Sequence, residues 1–111
     1  MNAMDLTAHQ ISILERLQQH GFETVAFPMY AEYVGVRRGN CAALLAPAGA
    51  NGFAIFGEPA YLVGGSLSVR ILRSDGHYFV RKGDQVEATP ERISELESFA
   101  AELAASLLPV A

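Results

Sequence analysis

One long stretch of this chain carries almost no charge. Between residues 41 and 69 the only charged side chain is that of Glu58, although 18% of the 111 residues are Asp, Glu, Lys or Arg. Stretches of this kind are usually withdrawn from water, as protein core, subunit interface, ligand pocket or membrane span. The need to withdraw this stretch from water is the strongest constraint that the sequence places on the fold, whichever of the four environments applies.

The local sequence excludes a membrane span. The uncharged residues 41–57 only just reach the minimum length of a spanning helix, about 17 residues. They include Pro47, Gly49, Asn51 and Gly52, which are turn formers that would break a helix in its middle. Residues 41–57 therefore predict two short strands around a loop at residues 47–52, and no membrane partner is expected.

Length and composition indicate one globular domain. A chain of 111 residues falls in the size range of a single domain, and half of its residues are apolar. The single cysteine, Cys41, cannot form a disulfide within the chain. We expect one α+β domain over residues 1–111, without a cofactor.

The N-terminal residues predict a cytoplasmic protein of a bacterium-like cell. Asp5 follows Met4 directly, and no apolar core of a signal peptide comes after it. Met1 and Met4 are equally good candidates for the natural start. If Met4 is the start, residues 1–3 are an addition.

The first predicted element is a helix over residues 7–20. Thr7 and Gln10 have the spacing of a capping box, in which each side chain satisfies a free backbone N–H group. Apolar side chains recur at helical spacing from Ile13 to Leu17. Gly21 follows as a helix stop.

The last predicted element is an amphipathic helix. Thr89, Pro90 and Glu91 form a start signal, since a capping hydroxyl precedes a proline at the first helical position and an acid in the first turn. An apolar face recurs at steps of three and four residues, through Ile93, Leu96, Phe99, Ala100, Leu103 and Leu107. Pro109 is expected to end the helix.

The residues between these helices predict strands and turns. Candidate strands lie at residues 23–26, 33–37, 41–45, 53–56, 60–63, 66–73, 77–82 and 85–88, separated by turns such as 38–40, 57–59 and 74–76. Asp75-Gly76 between alternating strands is a strong hairpin signal. Consecutive strands without helices between them form antiparallel meanders. We therefore expect five to seven short antiparallel strands, with both helices on one face of the sheet.

Charge is segregated along the chain. The net charge is −3 over residues 1–36, +4 over residues 37–82 and −5 over residues 83–111, which together give −4. The sheet is therefore predicted to be basic and the helical flanks acidic. Nucleic acid is not an expected partner, because the whole chain is acidic and contains none of the common binding motifs.

Strand alternation defines a candidate interaction face. Side chains alternate between the two faces of a strand, so Leu67, Val69 and Ile71 are expected to face the core. The opposite, open face would then carry Arg70, Leu72, Phe79 and Arg81. A mixture of arginine and apolar side chains is typical of recognition surfaces.

The arginines of this sheet have three possible roles. They are solvated, they pair with acids on neighbouring elements, or they bind an acidic protein or an anionic small molecule. Self-association fits the last role as well, because the acidic helices of one subunit would meet the basic sheet of another.

Cys41 is the only candidate nucleophile. It follows Arg37 and Arg38, and nearby cations can lower the pKa of a thiol and make it reactive. The alternative is a small buried apolar residue, which is the commoner role of a free cysteine. His77 is the only histidine of the sheet region that can act as its base, and no spacing of His9, His20 and His77 indicates a metal site.

Glu58 is a candidate acid at the mouth of a pocket, or otherwise an acid at the tip of a solvated turn. The glycines fit none of the phosphate-binding loops and are explained as turn residues.

No catalytic constellation is evident, so we expect a non-enzymatic domain that acts through protein–protein interaction, as a homodimer through its apolar sheet. The alternative is a domain that binds an apolar or anionic small molecule between sheet and helices.

Overall fold

The structure, a computed structural model, describes residues 6–49 and 52–107 and has an α+β fold. The elements in chain order are α1 (Ala8–Gln19), β1 (Glu23–Val25), a 3-10 helix (Pro28–Tyr30), β2 (Val34–Arg38), β3 (Cys41–Ala48), β4 (Gly52–Val63), β5 (Ser66–Leu67), β6 (Val69–Arg73), β7 (Gly76–Arg81), β8 (Asp84–Glu87) and α2 (Pro90–Leu107). The predicted order of helix, antiparallel strands and helix is confirmed.

The strands form two sheets. Five strands pair in the order β1-β2-β3-β4-β5, and three pair in the order β6-β7-β8. The described residues thus contain eight strands in two sheets, where five to seven in one meander were expected. The division occurs at Ser68, whose N–H and hydroxyl groups both donate to the Tyr61 carbonyl. The predicted strand 66–73 is therefore split into β5 and β6.

The expected turn at residues 57–59 is wrong, because β4 continues through it. Cys41 pairs with Tyr61 and Ala42 with Ala60, but Leu44 pairs with Phe56. Residues 57–59 thus lie opposite Ala43 alone, so β4 has two extra residues here and bulges from the β3–β4 ladder. Gly57 has φ +68°, which glycine adopts without steric cost.

Both helices begin where the sequence predicts. The Thr7 side chain accepts from the Gln10 backbone and the Gln10 side chain accepts from the Thr7 backbone, which completes the capping box. Thr89 accepts from the Arg92 N–H at the start of α2. The expected helix end at Pro109 and the alternative start at Met4 lie outside the described residues.

Both helices pack on one face of the five-stranded sheet, as expected. They contribute Ile13 and Leu17 from α1 and Phe99 and Leu103 from α2 to one apolar cluster. The sheet contributes the side chains that alternate toward this face, which are Val34, Val36, Cys41, Ala43, Leu45, Phe53, Tyr61 and Val63. Burial of this apolar surface is the main stabilising term of the fold.

The other face of this sheet is partly covered by the same chain. Leu44 points away from the helices but is only 6% exposed. Its cross-strand neighbours are Gly35 and Phe56. The Phe27 ring lies against Gly35, and the Tyr33 ring stacks on Phe56 with centroids 4.2 Å apart. Residues 27–33 therefore cover part of a face for which the sequence suggests a second copy.

Gln10 attaches α1 to the β3–β4 hairpin. Its side chain is buried, and its amide nitrogen donates to the carbonyls of Gly49 and Gly52, each at 3.0 Å. The amide oxygen accepts the Thr7 N–H at 3.0 Å. A buried amide with all of these partners costs little, whereas removing it takes away three part-buried hydrogen bonds.

Substitution of Gln10 tests this attachment. We expect Gln10→Ala to lower the free energy of unfolding by about 2–3 kcal/mol, because the three hydrogen bonds of the Gln10 side chain to Thr7, Gly49 and Gly52 are lost. The matched control is Gln18→Ala on the same helix, where the exposed amide makes one long hydrogen bond to Thr24 at 3.3 Å. Urea denaturation of both variants checks the difference. Equal losses of stability would contradict the role given to Gln10.

Candidate functional site

The five-stranded sheet has an open, uncharged edge at β4. On the side of β4 away from β3, β5 pairs only with Leu62 and Val63, and no other described strand pairs with β4. We define the β4 edge as residues 53–57 on this side. Its sequence is Phe-Ala-Ile-Phe-Gly, and Phe56 is 47% exposed. Unpaired, uncharged edges favour pairing with another strand.

The three-stranded sheet has a second open edge at β6. Within the described part of the chain, β6 pairs with β7 alone. Val69 is 66% exposed and Leu72 is 71% exposed, while Arg70 and Arg73 are also exposed. We define the β6 edge as residues 69–73 on the side away from β7. It is both apolar and cationic, unlike the β4 edge.

The four residues of the candidate interaction face share one face, but that face is not open throughout. Arg70 pairs with Phe79 in the β6–β7 ladder, and Leu72 and Arg81 alternate onto the same side. Phe79 is 1% exposed and stacks on Tyr61 with ring centroids 4.7 Å apart. The expected open position of Phe79 is therefore wrong.

The core-facing and outward-facing sides of β6 are the reverse of the prediction. The Phe79 side packs on the core, and Val69, expected in the core, is exposed. The reason is that Leu67 belongs to β5 and pairs with Leu62, so the alternation from Leu67 does not continue into β6. Arg70 and Leu72 are nevertheless exposed, and Arg81 donates to the Met29 sulfur at 3.5 Å.

A groove of about 670 Å³ lies between β4, β6 and α2. The stacked rings of Tyr61 and Phe79 contribute to its lining. Three charged side chains also line it, those of Glu58, Arg70 and Glu97. The structure thus places Glu58 beside a groove between sheet and helix, where the sequence suggests a pocket-mouth acid.

Two arginines of the basic segment pair with acids of the flanking elements. Arg37 lies 3.6 Å from Glu23, and Arg38 lies 3.1 Å from Glu102 on α2. The Arg38 guanidinium also lies over the Phe22 ring at 4.5 Å. These arginines join elements of the fold and are therefore less available to a partner.

The arginines of β6 have no such counter-charge. Across the ladder Arg70 faces Phe79 and Arg73 faces Gly76, and neither arginine forms an ion pair with a described acid. Arg73 instead lies over the Tyr78 ring at 5.9 Å. The Tyr78 hydroxyl donates to Asp75 at 2.9 Å, and this hydrogen bond raises the pKa of Tyr78. The Asp75 carboxylate of the β6–β7 turn is thus engaged within the hairpin.

The surroundings of Cys41 disfavour a reactive thiol. Its side chain is 0% exposed in the core cluster. Burial and, secondly, the charge of Glu95 raise the pKa of Cys41 to about 11, although Arg38 acts in the opposite direction. The expected activation by arginine is therefore outweighed by desolvation. His77 is exposed and lies in the other sheet, so the structure does not bring the two residues together as a dyad.

The remaining candidate chemistry is sparse. No group of three His, Cys, Asp or Glu side chains within residues 6–49 and 52–107 is arranged to hold a metal ion. Neither described helix is both long and apolar enough to cross a membrane. Comparison with models of protein families, with curated proteins and with solved structures finds no match for this chain.

Sequence reasoning did not find the two open strand edges, and it assigned the two faces of β6 the wrong way round. Edges depend on which strands fail to pair, and hydrophobic alternation gives no information on pairing. One available signal was the arginine pair in residues 69–73, since charge on an otherwise apolar strand is typical of an edge.

Thiol chemistry tests the position of Cys41. At pH 8 a thiol of pKa about 11 is almost entirely protonated, so native Cys41 should react with Ellman's reagent at least about 100-fold more slowly than in the urea-unfolded chain. Rapid stoichiometric labelling of the native protein would contradict this.

The same raised pKa has a consequence for stability. The Cys41 thiol of the folded state keeps its proton above the pH at which the unfolded thiol ionises. Cys41 therefore does not reduce the free energy of unfolding below about pH 8.5, but this free energy falls as the pH rises toward 11. The Cys41 contribution to the slope is about 1.4 kcal/mol per pH unit. Cys41→Ala is the control and should remove it.

Proposed function

We propose that this chain is a non-enzymatic interaction domain of the cytoplasm that works as a homodimer. The observation that supports the dimer is the β4 edge, which is unpaired among the described residues and uncharged. The burial of Cys41 agrees with a role that does not depend on a thiol nucleophile.

The β4 edge is self-complementary. Two such edges can pair antiparallel about a two-fold axis, with Ile55 on the axis and Phe56 of one copy opposite Ala54 of the other. Residues 53–57 contain no charge, so like charges do not meet within this ladder. Pairing also satisfies the backbone groups that the edge otherwise exposes.

Such a dimer would continue the five-stranded sheet of one copy into that of the other. The helices of both copies would lie on the same side, because an antiparallel two-fold is perpendicular to the sheet. Residues 27–33 cover part of the opposite face in each copy. The dimer that we propose therefore uses an edge of the apolar sheet and leaves its far face as it is.

Sedimentation velocity of Ala54→Lys tests the dimer. Two lysines beside the two-fold axis repel each other, so the dissociation constant should rise at least about tenfold. The matched control is Ala26→Lys, which changes an exposed alanine next to β1, at the opposite edge of the sheet. A wild-type protein that remains monomeric throughout the micromolar range would refute the homodimer.

The groove supports a second candidate function, the binding of a small molecule. Its size is that of an ordinary ligand site, and it combines the rings of Tyr61 and Phe79 with the Arg70 cation. An apolar ligand that carries an anionic group fits this combination. Glu58 and Glu97 on the same lining would repel negative charge elsewhere in the groove, so the ligand would carry one anionic group, placed at Arg70.

The dye 8-anilinonaphthalene-1-sulfonate is a suitable probe of the groove, because it joins aromatic rings to one sulfonate. We expect a fluorescence titration with saturable binding that Ala100→Trp weakens about tenfold, since Ala100 lines the groove. Ala101→Trp, on the exposed side of the same helix, is the matched control. Equal binding by both variants would place the dye elsewhere.

A further inference from the structure

The β6 edge presents the same two kinds of side chain on each of its faces. Alternation puts Arg70 and Leu72 on one face and Val69 and Arg73 on the other. All four are exposed. The edge thus offers a cation and an apolar side chain above the strand, and the same pair below it.

A second copy of this chain is a poor occupant of the β6 edge. Antiparallel pairing of residues 69–73 with themselves would bring four guanidinium groups into one short ladder without a carboxylate. Like charges at neighbouring cross-strand positions are destabilising. The arginines therefore protect this edge from self-pairing, while the uncharged β4 edge lacks such protection.

An acidic strand fits the same edge. Strand addition forms backbone hydrogen bonds with an unpaired edge, and side chains at alternate positions give specificity. Carboxylates opposite Arg70 and Arg73 would supply the counter-charge that the described acids do not supply. Apolar side chains opposite Val69 and Leu72 would cover the exposed surface of these residues.

We propose that the β6 edge binds an extended segment of another protein with the pattern acid–apolar–any–acid–apolar. In antiparallel pairing these five positions lie opposite Arg73, Leu72, Ile71, Arg70 and Val69 in that order. This inference rests on the proposed role as an interaction domain, but it uses a different edge from the dimer. The two can therefore fail separately.

Fluorescence anisotropy with two labelled peptides tests the proposal. The probe is Thr-Glu-Val-Thr-Glu-Val-Thr, and the control peptide has both glutamates replaced by lysine. We expect the acidic peptide to bind at least about tenfold more tightly. Absent binding, or equal binding of the two peptides, would overturn the proposal.

Charge reversal locates the peptide. The double variant Arg70→Glu/Arg73→Glu should lose the acidic peptide and gain the lysine peptide, because the cross-strand pairs are restored with opposite sign. Lys82→Glu is the control, since Lys82 is an exposed cation in the turn after β7 and has no partner in the β6–β7 ladder. An unchanged preference in the double variant, or a reversed preference in Lys82→Glu, would refute the site.

Two further variants separate this site from its neighbours. Ala54→Lys should keep the acidic peptide, even if it abolishes the dimer. Val69 and Arg70 belong both to the β6 edge and to the groove lining, whereas Ala100 lines the groove from α2, so Ala100→Trp should keep the peptide as well. Loss of the peptide in the first variant would place it at the β4 edge, and loss in the second would place it in the groove. Either result would overturn the proposal for β6.

Discussion

The burial of β3 on both of its faces is the constraint on which the rest of this structure depends. Residues 41–45 are buried without exception, although successive side chains point to opposite sides of the sheet. One side needs the two helices, and the other needs cover from elsewhere in the chain, to which Phe27 and Tyr33 contribute. The two helices on one side and residues 27–33 on the other therefore serve the same purpose, which is to remove a single apolar strand from water.

Much of this fold could be predicted from local sequence signals. The caps at Thr7 and Thr89 and the Asp75-Gly76 hairpin are short-range features, since the interactions that produce them join residues close in the chain. The faces of β6 could not be predicted, because they depend on Ser68 bonding to Tyr61 in another strand. Cys41 shows the same limit, since burial dominates its pKa although Arg37 and Arg38 lie shortly before it in the sequence.

The two open edges differ in the chemistry that they offer. The β4 edge is neutral, and the β6 edge carries an arginine on each face. An edge without charge accepts its own copy, whereas an edge of one sign discriminates against its copy and favours a strand of opposite sign. With one edge of each kind, the domain that we propose would use separate surfaces for assembly and for recognition, and neither surface would require a change of conformation in the other.

The attachment of α1 to the β3–β4 hairpin through Gln10 has a consequence for the order in which the chain folds during synthesis. Its carbonyl partners lie 39 and 42 residues later in the chain. A helix of 12 residues is marginal in water on its own, so α1 gains lasting structure only when the β3–β4 hairpin has left the ribosome. Until then the apolar stripe of α1 is exposed on the nascent chain, although α1 precedes the strands that hold it.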